Sequence, residues 1–248
     1  MTPRDQPDPG SDNPAGNAMP FLDHLEELRR RILKSILAVV ILSGVAFYFA
    51  EDLMRFLIRP LGEVKLHVTE VSGSFYAYIK VALIFGIGGS LPVIFYQLWM
   101  FISPGLYRRE RAMVLPLILL SVLLFLIGAG FCYLVVLPFA LEFLIGFGGD
   151  ILSPIITVSS YLGFAGMLLL SFGFGFELPI LAYFMGKMGL ISSRALGRFR
   201  RYAIVVILIV AAILTPTPDV FTQLLLAVPL YVLYEISIVV VRVSGRRH

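Results

Sequence analysis

One cysteine and three histidines are all that this 248-residue chain offers for thiol or metal chemistry. Cys132 alone cannot close an intramolecular disulfide, which excludes a disulfide-stapled secreted scaffold. It sits in an apolar run and reads as a small packing residue. His24, His67 and His248 all fall outside the long apolar stretches. There is no H-E-x-x-H, no G-x-S-x-G, no phosphate-cradling glycine loop and no Cys/His cluster, so no catalytic residue, metal site or cofactor is expected. Charge is scarce too. Asp, Glu, Lys and Arg make up 15% of the chain, against about 25% in ordinary soluble domains. What fills the space is apolar: 58% of residues, with a mean hydropathy of +0.91. A soluble globule of this length has too little interior to hide that surface, so a soluble enzyme and a disordered chain are excluded.

The charges cluster, with long gaps between. Uncharged runs of 16, 27, 30, 26, 17 and 15 residues separate Lys34 from Glu51, Lys80 from Arg108, Arg111 from Glu142, Asp150 from Glu177, Arg201 from Asp219 and Asp219 from Glu235. A crossing helix needs about 20 mostly apolar residues. The expected fold is therefore an all-α integral membrane protein of six transmembrane helices. They lie near 32–50, 79–101, 113–137, 160–186, 201–214 and 220–241, in a membrane domain of residues 20–243. Residues 1–19, rich in Pro, Asp, Asn and Gly without an apolar core, read as a disordered tail and not a signal peptide. Residues 244–248 read as a basic tail. The fifth span is short, and Thr215-Pro216-Thr217-Pro218-Asp219 stops it. Such a hairpin is expected to thin the bilayer around it.

Orientation follows from the cations. Sixteen Lys and Arg fall at the termini and in the second and fourth loops, and four (Arg55, Arg59, Lys65, Lys80) fall on the other side. The positive-inside rule places both termini in the cytoplasm. The pI near 9.3 thus reflects topology, and no nucleic acid is expected as a partner.

Between the spans, Leu53, Phe56, Leu57 and Ile58 follow helical spacing and suit an interfacial helix ended at Pro60. Residues 138–160 form a second outside cap. Pro92, Pro116, Pro179 and Pro229 lie inside spans, and the glycines near Pro92 and Pro179 let helices kink and approach closely. Two readings stay open for them: helix packing alone, or a concave face for a partner. Phe21, Leu25, Leu28 and Ile32 recur at three- and four-residue steps, so 21–33 is an amphipathic helix running into the first span. Glu27 can pair with Arg30 or Arg31 there. Glu26-Glu27-x-x-x-Arg31 also fits one intramembrane protease spacing, but the histidines or other groups that chemistry needs inside the membrane are missing. Glu177 is a carboxylate within the fourth span, ten residues from Lys187. At a cost of about 2.5–3.5 kcal/mol for a mid-helix acid, it faces a protein interior or wet cavity and marks function, or it bonds another span. Glu235 lies near Arg242 and snorkels.

Four stretches together resemble one family. These are Phe21-Leu-Asp-His-Leu-Glu-Glu-Leu-Arg-Arg-Arg, Phe101-Ile-Ser-Pro-Gly-Leu-Tyr-Arg-Arg-Glu-Arg, Phe176-Glu-Leu-Pro and Thr215-Pro-Thr-Pro-Asp-Val-Phe-Thr-Gln. In this order on a six-span frame, over about residues 19–243, they look like TatC, the multi-spanning receptor of the twin-arginine protein translocase. The resemblance implies recognition of twin-arginine signal peptides on folded cargo at the cytoplasmic membrane of a prokaryote. It also implies assembly with single-span TatA/TatB-type subunits into a multi-copy complex, and transport on the proton-motive force. By matching positions, Glu27 and Glu110 contact the arginine pair, with Phe101 and Arg29 in the same patch. Glu177 is the polar group of the concave membrane face. Gln223, with Thr215 or Thr217, belongs to the partner-docking site. Pro60, Tyr133 and Asp219 serve structure or transport. At Thr157 some members carry an acid and this chain does not. The competing reading from the residues is a secondary transporter or ion channel with Glu177 as relay.

Overall fold

The computed structural model describes residues 15–62, 64–102, 114–147, 155–215 and 219–244, and among these it is helical, with no strand. α1 (Ala15–Tyr48) runs without interruption from the amphipathic segment into the first apolar run. It takes in five residues of the expected N-terminal tail, because adding residues to a formed helix costs little where Ala15, Ala18 and Met19 favour it. α2 (Ala50–Ile58) and a 3-10 turn (Arg59–Leu61) follow. Then come α3 (Gly73–Ile102), α4 (Val114–Phe131), a π turn (Cys132–Val136) and α5 (Leu137–Gly146). The rest is α6 (Val158–Gly175), α7 (Leu178–Lys187), α8 (Ser193–Leu214) and α9 (Val220–Ser244).

Five stretches are long and apolar enough to cross a membrane: Asp23–Tyr48, Gly73–Phe101, Leu115–Gly146, Val158–Lys187 and Val220–Val243. α8 is not among them. Arg194, Arg198, Arg200 and Arg201 crowd its first turns, and the apolar remainder from 202 to 214 spans only about 20 Å. A normal hydrocarbon core is about 30 Å thick. The expected third span is also longer than its apolar run suggested. Pro138 has no N–H to offer the Leu134 carbonyl, and the π turn just before it absorbs the misfit, so the helix continues to Gly146. The expected fourth span is two helices, broken at Phe176–Glu177. Pro179 sits in the first turn of α7, where a missing N–H is harmless.

Packing is uneven. Tyr161, Leu162, Leu168 and Phe172 of α6 lie at the centre of one buried cluster, and Trp99, Phe95, Phe125 and Phe184 form a second. No described side chain of α1 is fully buried. That helix leans chiefly on α3, where Gly86 leaves no room for a Cβ against the Ser43 backbone. Between α3, α4 and α6 an apolar hollow of about 470 Å3 opens, edged by Phe56, Phe85, Phe125 and Tyr133. Gly88, Gly89 and Gly130 line it with nothing closer than 3.8 Å to a Cβ placed there. These glycines shape a cavity, whereas Gly173 and Gly175 sit tight against Phe125 and Leu230.

Two loops meet at the end of the molecule away from Glu27. His67 N–H donates to the Ile156 carbonyl (2.9 Å) and Val158 N–H to the His67 carbonyl (3.0 Å). Lys80 Nζ donates to Ser159 Oγ at 2.6 Å. Thr157 caps α6 by accepting from Ser160 N–H at 3.2 Å, a task its hydroxyl performs without an acid.

Candidate functional site

Glu27 is half-buried on α1, and its partner is specific. Arg31, one turn on, donates to Glu27 Oε1 from both Nε (3.0 Å) and Nη2 (2.5 Å). Arg30 turns the other way, 3.8 Å from Glu26, with both side chains about 70% exposed. Arg31 is also held from across the helix pair, because its Nη1 donates to Gln97 Oε1 of α3 at 3.3 Å. Gln97 is buried. Among the described residues, no hydrogen bond to Glu27 Oε2 accompanies those to Oε1. His24 Nδ1 lies 3.9 Å from Oε2. The His24 ring stacks on Phe101, with centroids 4.4 Å apart. Glu27 and Phe101 are thus brought together through His24 and Gln97, two residues that spacing alone did not single out. Gln97 was legible in principle, as an amide within a 27-residue uncharged run. Arg29 is exposed and lies two residues from Glu27, hence on the far side of the helix. Glu110 lies outside the described residues, as does Thr217. Beside the patch, Leu28, Ile32, Ile36, Ile94, Leu98 and Phe101 border a groove of about 260 Å3 between α1 and α3.

Glu177 stands at the break between α6 and α7, not in mid-helix. It is 4% exposed. Ser121 of α4 is its polar neighbour, yet neither Ser121 Oγ nor Glu177 Oε1 completes a hydrogen bond. Ser121 thus faces the carboxyl from another span, without a completed hydrogen bond at Oε1 among the described residues.

Pro60 and Tyr133 belong to one device. Pro60 lacks the N–H that would reach back to the Phe56 carbonyl, so that carbonyl is left to the 3-10 bond from Arg59 N–H. Tyr133 OH donates to the same oxygen at 2.7 Å, and its ring stacks on Phe56 at 4.5 Å. Tyr161 OH serves the next carbonyl, Leu57, at 2.6 Å. Together they fasten the end of α2 onto the membrane helices.

Asp219 is the N-cap of α9. Its Oδ1 accepts from Thr222 N–H (2.7 Å) and its Oδ2 from Thr222 Oγ1 (2.5 Å). Gln223 donates its side-chain amide to the Leu208 carbonyl of α8 at 3.0 Å. Thr215 is buried, with its hydroxyl on the Ala211 carbonyl (2.9 Å). Glu235 has a different partner from the one expected. The α8–α9 hairpin brings Arg200 to 2.7 Å from its Oε2, and Tyr231 OH reaches its Oε1 at 3.1 Å. Among the described residues no group of three potential metal ligands gathers.

The family described as Sec-independent protein translocase protein (TatC) matches residues 23–229. The chain belongs to the TatC family. It is 44% identical over 233 residues to the TatC of Desulforapulum autotrophicum, covering 92% of this chain and 86% of that protein. It is 43% identical to the TatC of Aquifex aeolicus, covering 92% and 97%. A crystal structure titled as the twin-arginine translocase receptor TatC superposes with a TM-score of 0.81 at 42% identity, over 90% of this chain and all of that one. The chain is therefore a multi-pass membrane protein and a TatC component of a protein translocase. A transport role accords with a site built of salt bridges, stacked rings and apolar grooves.

Proposed function

We propose that this TatC chain is the receptor for twin-arginine signal peptides at the cytoplasmic face of a prokaryotic inner membrane. With single-span TatA/TatB-type subunits, in several copies, it exports folded cargo on the proton-motive force. It performs no catalytic step of its own and uses no cofactor or metal. The observation that carries the reading is Glu27, whose side chain is one-third exposed with Oε2 3.9 Å from His24 Nδ1, beside the His24–Phe101 stack. Guanidinium binds carboxylate through paired, charge-assisted hydrogen bonds, each worth roughly 1.5–3 kcal/mol where water is partly excluded. Glu110, in the sequence that follows α3, takes the second arginine, and Arg29, on the far side of α1 from Glu27, is left outside the contact. The apolar part of the peptide lies in the groove between α1 and α3.

The same reading gives six crossings with both termini cytoplasmic. The arginine bias supports it, and α8 with α9 crosses a locally thinned bilayer. Glu177 offers an intramembrane acid to the transport step. Gln223, whose side-chain amide donates to the Leu208 carbonyl, docks a single-span partner together with Thr215 or Thr217. Pro60, Tyr133 and Asp219 hold the frame. The test is site-specific photocrosslinking of a twin-arginine precursor to membranes carrying Glu27→Ala with Glu110→Ala. Crosslinking is expected to vanish while the protein remains inserted. Undiminished crosslinking refutes the site.

A further inference from the structure

Of three consecutive arginines, only Arg31 turns inward, and it occupies the carboxylate assigned above to the cargo. Its side chain is 19% exposed, against 33% for Glu27 and 69% for Arg30. Two of its N–H groups converge on one oxygen, Oε1, while Nη1 reaches Gln97 at 3.3 Å. An incoming arginine that binds Glu27 in the usual two-pronged manner needs both carboxylate oxygens. One of them is already filled by the same chemical group.

We infer that Arg31 is a resident competitor for Glu27, a built-in guanidinium that sets the threshold an incoming arginine must exceed. The inference rests on the reading of Glu27 as a cargo contact. When a cargo arginine takes Oε1, Arg31 moves its donors to the buried Gln97 carbonyl oxygen, which it already touches. Guanidinium replaces guanidinium, so Glu27 is never left as an unpaired charge, and Arg31 keeps a hydrogen-bond acceptor in Gln97. A cargo lysine, a point charge with no planar fork, engages Oε2 and leaves Arg31 in place. Arg31 is a specificity-setting residue on this account, and the cost of displacing it falls on arginine cargo.

The test measures binding of an Arg-Arg signal peptide and its Lys-Lys counterpart to the full chain in nanodiscs. Arg31→Lys keeps the charge and removes the fork. It is expected to tighten Arg-Arg binding about tenfold and to leave Lys-Lys binding unchanged. The same substitution in a Glu27→Gln background is expected to have no effect. Loss of Arg-Arg binding in Arg31→Lys would overturn the inference, because Arg31 then supports the site. An equal gain for both peptides would overturn it as well, because the effect is then general charge. A lost scaffold cannot yield a selective gain. If Glu27→Gln alone binds the Arg-Arg peptide normally, the receptor site itself is wrong. If Glu27→Gln loses binding and Arg31→Lys shows no selective gain, only the competitor is wrong.

Discussion

Glu27 and Glu177 are both single carboxylates in an arginine-rich chain, and they are treated in opposite ways. Glu27 lies at the aqueous edge, where an unpaired charge costs little, yet Arg31 and Gln97 hold it in place. Glu177 is buried among apolar helices, where an unmet polar atom is costly, yet beside Ser121 its Oε1 completes no hydrogen bond among the described residues. Stability alone would reverse this arrangement. The surface acid has a resident partner in Arg31. The interior acid is kept at the chain's own expense, and that is the pattern of a group whose function outweighs its effect on folding.

The largest effect that separates the two acids is on peptide binding. Glu27→Gln should weaken a twin-arginine peptide by about ten- to a hundredfold, while Glu177→Gln should leave it within about twofold. Isothermal titration in nanodiscs decides between them, and equal losses would erase the contrast. Stability should move the other way. Glu177→Leu removes a buried group with an unmet oxygen and should raise unfolding stability by about 1–3 kcal/mol, read from thermal melts in detergent, while transport falls. Asp219 calibrates the scale, being an acid spent on capping. Asp219→Ala should lower stability by about 1 kcal/mol, with loss of ordered α9 amides in hydrogen exchange. Breaking the Glu27–Arg31 pair should have the smallest effect on folding, under about 1 kcal/mol. That difference should shrink further between low and high salt, whereas the Glu177 effect should hold steady.

What the sequence made legible was local. Pro60 stops α2, Pro179 starts α7, and the apolar periodicity of 21–33 runs directly into α1, because helix signals act within a few residues. Glu27 was readable as an acid with an arginine one turn away, but the choice between Arg30 and Arg31 was not. That choice depends on Gln97, 66 residues on. Tyr133 and Pro60 each looked isolated. Their connection is a carbonyl freed by a proline and met by a hydroxyl 77 residues away from it. Glu235 was assigned to the cation nearest in sequence, and the α8–α9 hairpin supplied another from 35 residues back. The break at Glu177 was legible as a kink near Pro179 but not as the end of one helix and the start of another, because a hydropathy run does not register where a helix changes direction.

α1 is a single rod of 34 residues, about 51 Å long, fastened along one side and with no fully buried side chain. Its first bend comes at Phe49, where the backbone leaves helical geometry (φ −101°, ψ 14°) before α2 begins. Beyond that bend, α2 is clamped by Tyr133 and Tyr161, and the two loops nearby are laced together through His67. If cargo binds at Glu27 as proposed, a pull on it runs along the unbroken rod and is not dissipated at the surface where it is applied. The lever is stiff and its pivot lies at the other end, so the load arrives at the collar around α2.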